Sequence, residues 1–324
     1  NPKTKPRANV TINAKIGLSI ATVSRVVNGH TNVNEETKKR VQEFIEKKNY
    51  TPNVIAQNLS KMENKTIALL VPNISNPFFA TLTNYICKNF NRGGYQIALY
   101  NTVESLEQEK EAIKNILGHR IAGVIAILIN GDYEENPLTP LLKQKIPVYL
   151  VDREFEDSKL PGVFIDNYIG AYKLTKELLE RGHRDIALIT GNLDFLNARE
   201  RMRGYIEAHN DMGVEVKEKN IYEGDYLFES GYIAGKKILD GSVTAVFSSN
   251  NLMLYGVLKA LKEKDKDLEL ACFEKTEFLE LLDRNILSCS IPLEIMGEKI
   301  YQLFVNKEKR KKIYIEPLLE KRGE

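Results

Sequence analysis

From Thr66 onwards, short apolar runs bounded by turn residues alternate with amphipathic stretches of helical spacing. This alternation predicts βαβ units, in which parallel strands are covered by helices on both faces. Nine or more strands over about 260 residues are too many for one ordinary sheet, so we expect two doubly wound parallel-sheet lobes. The expected strands are Ile67–Val71, Gln96–Tyr100, Gly123–Ile129, Val148–Val151, Val163–Ile165, Ile186–Thr190, Ala245–Ser248, Leu268–Phe273, Leu287–Ile291 and Ile313–Ile315.

The first fifty residues lack this alternation and have the spacing of short helices. Ser19 is placed to cap a helix over Ile20–Asn28 that ends at Gly29. Asn34 and the two glutamates after it open a second helix, which presents one apolar stripe made of Val41, Phe44, Ile45 and the stem of Lys48. After a break, a short helix is expected from Asn53 to about Ser60.

Charge separates this helical head from the rest of the chain. Residues 1–61 carry a net charge of +7, whereas the remaining residues carry −5. A basic head on a mildly acidic body indicates a polyanion as the partner of the head alone. A solvated basic surface is the alternative, and charge by itself does not reject it. The basic run Lys307–Lys312 is typical of a solvated loop before the last strand.

The cysteines exclude several classes of protein. Cys87, Cys272 and Cys289 are odd in number and form no CxxC pair, which disfavours a disulfide framework or a zinc site. The polar amino terminus has no apolar segment of a signal peptide, and the longest apolar run, Ile121–Ile129, is half the length of a membrane span. We therefore expect a cytoplasmic protein with no metal and no membrane partner.

Motifs of catalysis are missing from the sequence. It contains no GxGxxG, GxSxG or HExxH, and Gly231–Lys237 falls one residue short of a phosphate-binding loop and lacks its Ser or Thr. The histidines are not spaced as ligands; they are His30, His119, His183 and His209. We expect no enzyme activity and no cofactor.

The stretch Ser19–Gly29 carries the functional argument. Val23, with Val26 or Val27, can face a small core, while the residues that point outward suit a DNA major groove; these are Ile20, Ala21, Ser24, Arg25 and Asn28. An ordinary surface helix with one arginine is the alternative. With Val10–Ile12 before it and Tyr50–Asn53 after it, the string closely resembles the lactose/galactose repressor (LacI/GalR) family of transcriptional regulators.

The resemblance extends along almost the whole chain, with motifs in the family's order. They are Tyr50, Pro52, Asn53, Ala56 and Leu59 of the hinge helix, then Val71–Phe79, Val151–Arg153, Gly182–Ala187, Asn197–Tyr205, Ser249–Met253 and Lys321–Gly323. It implies an all-α helix-turn-helix head at 1–48, a hinge helix and linker at 49–62, and a periplasmic-binding-protein-like α/β core for effector binding and dimerisation at 63–324. Lobe 1 is expected at about 63–161 and 292–317, and lobe 2 at about 162–291 and 318–324, with Leu150–Ile165 as the candidate crossing.

The family's DNA contacts transfer to particular positions. Ile20, Ala21, Ser24, Arg25 and Asn28 fall where the family contacts bases and phosphates; supporting contacts are implied for Thr22 and Asn32, and hinge-helix roles for Asn53 and Leu59. Leu59 falls where paired hinge leucines, one per subunit, wedge into the minor groove and kink the DNA. Two wedges require a homodimer, so a palindromic operator is implied.

The effector is expected in the cleft between the lobes, outside the carboxyl ends of their strands. The positions that match family contacts are Asn73, Phe78, Phe79, Asp152, Arg201, Asn250 and Glu274. Their chemistry suits a sugar, sugar acid or sugar phosphate, and a protein co-regulator is a further alternative. Structural roles remain open as well: core for one of the phenylalanines, a turn cap for Asp152, a helix cap for Asn250, and a surface ion pair for Arg201.

Two stretches depart from the family pattern. Thr11–Gly17 is about three residues short, which predicts a truncated first helix, and Phe273–Lys275 keeps only one of the two usual acids, at Glu274. A solute-binding protein with the same two-lobed core is the alternative function. The basic helical head and the missing signal peptide both disfavour it.

We predict that Arg25→Ala weakens binding to a specific operator far more than binding to a random duplex. A base-reading arginine contributes to discrimination, whereas phosphate contacts are independent of sequence and depend on salt. Titration of both duplexes at several salt concentrations measures the two effects. Equal losses on both duplexes would restrict Arg25 to phosphate contact.

Overall fold

A computed structural model describes residues 17–27, 33–47, 64–129, 136–155, 158–282 and 284–320. The chain divides into two compact units, residues 1–64 and residues 65–324. Several predictions fall outside the described ranges: the truncated first helix, the end of the helix at Asn28, the contacts of Asn32, and the hinge helix with Asn53 and Leu59.

Two helices are described in the first unit, α1 (Ile20–Val27) and α2 (Glu35–Lys47). Both predicted caps are present. The Ser19 hydroxyl accepts a hydrogen bond from the Thr22 amide at 3.1 Å, and the Asn34 side chain accepts one from the Glu36 amide at 2.9 Å. Each cap satisfies an amide that has no partner inside the helix.

A small apolar core joins α1 to α2. Val23 and Val41 are fully buried, and Leu18, Val26 and Phe44 pack around them. This confirms that Val23 faces inward, with Val26 beside it. Arg25, on the same short helix, is exposed.

The second unit contains two six-stranded sheets. Sheet one is made of β1 (Thr66–Val71), β2 (Gln96–Asn101), β3 (Gly123–Ala126), β4 (Val148–Asp152), β5 (Gly162–Ile165) and β11 (Lys312–Ile315). These strands are all parallel, in the order β11-β5-β4-β3-β1-β2. The helices of this lobe are α3 (Pro77–Arg92), α4 (Leu106–Leu117), α5 (Thr139–Lys143) and α11 (Leu293–Val305).

Sheet two is made of β6 (Ile186–Thr190), β7 (Ile221–Glu223), β8 (Ala245–Ser248), β9 (Glu269–Cys272), β10 (Ile286–Ser290) and β12 (Leu318–Glu320). Its order is β12-β10-β9-β8-β6-β7, and only β12 runs antiparallel. Its helices are α6 (Asn167–Glu180), α7 (Leu196–Asp211), α8 (Phe228–Leu239), α9 (Asn251–Lys264) and α10 (Glu277–Glu280), with a 3₁₀ turn at Glu218–Asn220. Two doubly wound lobes are therefore confirmed.

The predicted crossing between the lobes was wrong by one strand. Leu150 pairs with Gly162 and Val151 with Val163, so β4 and β5 are parallel neighbours in sheet one, and the first crossing follows Ile165 instead of residue 161. The nine residues between β4 and β5 hold no helix in their described part, although a parallel connection usually contains one. A Cβ at Gly162 would lie 2.6 Å from the Leu150 carbonyl oxygen. Glycine at this position therefore lets the backbone of β5 approach that of β4 closely.

Strand ends also differ from the sequence pattern. β3 ends at Ala126, although the apolar run continues to Ile129, and the three-residue strands β7 and β12 were not predicted. The basic run is confirmed as an exposed loop up to Lys311, where β11 begins with Lys312. No helix in the described ranges is both long and apolar enough to span a bilayer.

Helices α8 and α9 touch backbone to backbone. A Cβ at Gly231 would lie 2.1 Å from the Met253 carbonyl oxygen, and one at Gly256 would lie 2.3 Å from the Phe228 carbonyl oxygen. Both distances are too short for any side chain, so glycine is required at the two contact points. The pair of helices forms one side of the second lobe.

We predict that Gly231→Ala destabilises the core by about 1–3 kcal/mol, because rigid backbone on α9 must move to admit the methyl group. Gly118→Ala is the matched control, since its Cβ would meet its nearest neighbour at an ordinary 3.4 Å. Thermal unfolding of the two variants measures the difference. Equal melting temperatures would show that the α8–α9 contact adapts freely.

Candidate effector-binding cleft

The cleft lies where the carboxyl ends of the strands of both sheets meet. The first lobe contributes residues that follow β1, β2 and β4, and the second lobe contributes residues that follow β6, β7, β8 and β9. They enclose a cavity of about 20 Å³, lined by Asn73, Asn76, Phe79, Glu104, Asp152, Arg153, Asn197, Arg201, Tyr226, Leu227, Asn250, Leu252 and Glu274. This is the inner cavity.

Six of the seven predicted effector residues line the inner cavity, and Phe78 does not. Phe78 and Phe79 are consecutive on α3, so their side chains point about 100° apart. Both are buried with their rings edge to face at 5.2 Å, and Phe78 packs in the core. The core alternative therefore describes Phe78.

The buried Arg153 and the partly exposed Glu104 form an ion pair on the first-lobe side. Both guanidinium Nη atoms donate to the Glu104 carboxylate, at 3.2 and 3.3 Å, and Nη1 also donates to the Leu128 carbonyl oxygen at 3.2 Å. The guanidinium carbon lies 5.2 Å from the centre of the Phe79 ring. Sequence reasoning did not assign Glu104, because nothing in the sequence shows that the turn after β2 reaches the end of β4.

Arg201 extends from α7 into the second-lobe wall of the cleft. Its Nε donates to the Asn167 side chain at 2.8 Å, and its Nη1 donates to the Ser249 carbonyl oxygen. The guanidinium is stacked 3.7 Å from the centre of the Phe273 ring. Arg201 is buried together with Ala198 and Tyr205 of the same stripe, so the stripe faces inward and the surface ion pair is wrong.

Asp152 ends β4 with a left-handed backbone (φ 65°), which is uncommon for a residue other than glycine. Its carboxylate is buried and has no hydrogen-bond partner among the described residues, so no turn cap is seen. Burial raises the pKa of Asp152, although Arg153 and Arg201 act to lower it. The carboxylate is an acceptor that the protein itself leaves unused.

Glu274 and Asn250 lie on the second-lobe side. The Asn251 side-chain amide donates to Glu274 at 3.0 Å. Burial raises the pKa of Glu274 to about 7, although Arg201 acts to lower it. Asn250 has both expected roles, because it caps α9 through the Met253 amide at 3.0 Å and also lines the inner cavity.

Tyr226 is a site residue that sequence reasoning missed. Gly191 leaves room for its ring, since a Cβ there would lie 1.9 Å from it, and the ring stacks on Phe195 at 6.2 Å. Its hydroxyl is buried among the cleft charges and has no hydrogen-bond partner within the described ranges. A buried polar group without a partner costs free energy, which a ligand that bonds to it recovers.

An outer chamber of about 250 Å³ adjoins the inner cavity, and Asp152 and Asn197 line both. Its remaining walls are Glu154, Phe164, Ile165, Asp166, Asn167, Tyr168, Leu196, Glu200, Arg203 and Tyr314. The volume lies near the lower end of the range for small-molecule sites. Across the described residues, no group of three or more acidic, histidine or cysteine side chains is placed to bind a metal ion.

The predicted DNA-contacting residues lie on or near α1. Arg25 is exposed, and the half-buried Thr22 shares a hydrogen bond of 2.8 Å with the Ser19 hydroxyl. The backbone of Ile20, Ala21 and Ser24 is helical, and Asn28, Asn32, Asn53 and Leu59 lie outside the described residues. Base contact by any of these residues stays a prediction.

Comparison with known proteins supports both units. A family model for periplasmic binding proteins and the sugar binding domain of the LacI family matches residues 64–310, and one for bacterial regulatory proteins of the lacI family matches residues 12–53. Catabolite control protein A of Priestia megaterium is 32% identical over 301 residues, 90% of each chain. The HTH-type transcriptional repressor PurR of Pasteurella multocida is 32% identical over 252 residues, 76% of this chain and 75% of that protein.

Solved structures share the fold. The lac repressor dimer bound to operator and the anti-inducer ONPF superposes with a TM-score of 0.84 at 21% identity, over 98% of both chains. The complex of the transcriptional regulator CelR with cellobiose gives a TM-score of 0.72 at 26% identity, over 98% of this chain and 99% of that one.

A helix-turn-helix unit joined to a two-lobed core with a ligand cleft defines a ligand-responsive transcriptional regulator. The chain belongs to the LacI family of bacterial regulatory proteins. It is a sequence-specific DNA-binding regulator of the repressor type, with a core for effector binding. The match of residues 12–53 to the regulator family argues against the solute-binding alternative.

We predict that Glu274 makes the core less stable as the pH rises. Its pKa is about 7 in the folded chain against an ordinary 4.5, so the folded state holds a proton that the unfolded state has released between these values. Unfolding free energy therefore falls from about pH 4.5 to 7, by roughly 3 kcal/mol for this group.

Thermal unfolding of the wild type, Glu274→Gln and the exposed-site control Glu215→Gln between pH 4.5 and 7.5 tests this. The wild type and Glu215→Gln should lose stability relative to Glu274→Gln over that range. Parallel curves for all three proteins would show that Glu274 titrates normally.

Proposed function

We propose that the chain binds a palindromic operator as a homodimer, and that an uncharged, polyhydroxylated effector held between the lobes controls this binding. The observation that carries the proposal is the pairing of the cleft charges. Arg153 pairs with Glu104, and Arg201 donates to Asn167 and to the Ser249 carbonyl oxygen. The Tyr226 hydroxyl and the Arg153 Nε are buried without a partner, and the Asp152 carboxylate lines the cavity without accepting a hydrogen bond from a described residue. The chain has no catalytic role in this proposal and acts in the cytoplasm, where operator DNA lies.

The unused groups favour hydroxyls over anions. The inner cavity is lined by three carboxylates, on Glu104, Asp152 and Glu274, but by only two guanidinium groups. With Glu274 protonated, the carboxylates of Glu104 and Asp152 already balance the two guanidinium groups, so a sugar phosphate or sugar acid would add an unbalanced negative charge to a buried site. Hydroxyl groups can donate to Asp152 and Glu274 and accept from Tyr226. The CelR neighbour, whose complex holds cellobiose, is a relative with a ligand of this class.

Ligand entry couples the cleft to the arrangement of the lobes. The inner cavity, at about 20 Å³, has room for about one water molecule. A sugar must therefore enter with the lobes apart, or occupy the outer chamber and extend inward past Asp152 and Asn197. An effector shifts the equilibrium between two lobe arrangements only if it binds one of them more tightly than the other. That difference in effector affinity can then change the affinity for the operator.

Exposed apolar side chains on the second lobe support the homodimer. Phe228 and Ile233 on α8 and Phe278 and Leu281 near α10 are all exposed, Leu281 to 81%. Helix α9 links the two groups, since its Lys259 lies 5.8 Å from the Phe228 ring and its Tyr255 hydroxyl shares a hydrogen bond of 2.8 Å with Thr276, just before α10. Large exposed apolar patches are typical of protein–protein interfaces.

Selection of duplexes from a random library tests DNA recognition and symmetry together. A homodimer with two recognition helices should select a sequence with two-fold symmetry, and sedimentation of the complex should give two chains per duplex. A selected half-site without a symmetric partner would contradict the dimer. A thermal-shift screen of neutral sugars, sugar acids, sugar phosphates and purines then identifies the effector class, because a ligand of the native state raises the melting temperature.

We predict that Tyr226→Phe weakens effector binding by about three- to tenfold without destabilising the free protein, because the hydroxyl has no partner to lose. Tyr205→Phe is the matched control. Its hydroxyl donates to the Ile186 carbonyl oxygen at 2.9 Å, so its removal should cost about 1 kcal/mol of stability and leave effector affinity unchanged.

Calorimetry with the sugar found in the screen, together with thermal unfolding, measures both quantities. The proposal fails for Tyr226 if its variant binds the sugar as tightly as the wild type does.

A further inference from the structure

The amino ends of the parallel strands of sheet one lie at the edge opposite the cleft, and this edge is strongly cationic. The loop that joins α11 to β11 carries Lys307, Lys309, Arg310 and Lys311, all of them exposed. Glu308 is the only acidic residue in this loop.

Other loops add cations to the same edge. Arg92 precedes β2, Arg120 precedes β3, Lys143 and Lys145 precede β4, and Lys159 precedes β5, all exposed. None of these five or of the four before β11 forms an ion pair with a described residue. Besides Glu308, the described parts of these loops contain one acid, Glu154, which pairs with Lys312 at the start of β11. We call these nine residues the basic edge.

The corresponding edge of sheet two shows that the fold does not require this charge. There, Arg181 pairs with Glu269 at 2.8 Å, and Lys217 pairs with Asp185. Arg284, ahead of β10, pairs with Asp267 at 2.6 Å. Charges on that edge are of both signs and three of the cations pair with acids, whereas those of the basic edge are left to solvent or to a partner.

The partner is indicated by where the chain enters the core. Strand β1 begins at Thr66 on this edge, and the unit that contains the recognition helix ends at Asn64. DNA bound by that unit is therefore tethered to the core through the chain that enters at this edge, and tethering raises its effective concentration for the core. Residues 62–324 as a whole carry an excess of acids, so the nine cations are concentrated against the overall charge.

We propose that the basic edge binds the phosphates of duplex DNA that flanks the operator. This proposal rests on the proposed function, and it adds a second DNA-binding surface to that of the head. Six strands spaced about 4.8 Å apart give an edge of about 24 Å. A duplex carries one phosphate per about 1.7 Å of its axis, so that length presents on the order of ten phosphates to the row of cations.

The experiment compares two duplexes, one limited to the selected operator and one with flanks of about 15 base pairs, roughly 50 Å, on each side. The full-length triple variant Lys309→Gln, Arg310→Gln and Lys311→Gln removes three charges from the basic edge. The matched control Lys219→Gln, Lys262→Gln and Lys264→Gln removes three exposed charges near the amino edge of sheet two. Affinities are measured from low to high salt.

We predict that the wild type binds the flanked operator more tightly and with a steeper salt dependence than the short one. The basic-edge variant should lower the slope of log affinity against log salt on the flanked duplex by about two to three, and should leave the short duplex unaffected. The control should match the wild type on both. Lys143→Gln with Lys145→Gln, at another part of the edge, should lower the slope on the flanked duplex by about two.

Several results would overturn the proposal. One is equal salt dependence of the wild type on the two duplexes, and another is a basic-edge variant that behaves like the control. If the variant instead loses binding to phosphatidylglycerol vesicles while its DNA binding is unchanged, the partner is a membrane surface. If the wild type shows no preference for operator over random duplex, the proposed function is contradicted. The basic edge is still tested in that case, because its variant should lower the salt dependence of binding to long random duplexes.

Discussion

Parallel strand pairing is the constraint on which the rest of this structure depends. A parallel strand cannot follow its neighbour through a tight turn, so the chain must return across the sheet between strands. In each lobe this return places the carboxyl ends of the parallel strands along one edge and their amino ends along the other. The carboxyl edges of both lobes line the cleft. The amino edge of sheet one carries the unpaired cations.

Buried charge gives the cleft its chemistry. Guanidinium groups inside a protein must be paired, and this chain pairs Arg153 with Glu104 and pins Arg201 between Asn167 and Ser249. Much of the bonding capacity of both arginines is therefore used within the protein. Asp152 and Tyr226 keep bonding capacity that the protein does not use, and the raised pKa of Glu274 reflects the same burial. Our proposal of an uncharged effector rests on these remaining groups, more than on the charged residues counted in the sequence.

Particular residues show how far the sequence could be interpreted. Ser19, Asn34 and Asn250 were recognisable as caps because capping needs only a short polar side chain beside a helical pattern. Arg201 was placed correctly because Ala198 and Tyr205 mark the same stripe. By contrast, β5 was assigned to the wrong lobe. Two successive strands with no helical pattern between them look, in sequence, like the point where the chain passes from one lobe to the other. Phe78 and Phe79 look alike in sequence, and only the turn of α3 separates core from cavity.

The sequence by itself determined the two doubly wound lobes, the helical head, the family and six of the thirteen residues that line the inner cavity. These follow from periodicity and motif order, which are local properties of the chain. Only the tertiary structure decided that Glu104 neutralises Arg153, that Tyr226 reaches the cleft, and that cations from the amino ends of five strands share one edge. Such groupings join residues far apart in the chain, and sheet order brings them together without leaving a local signal.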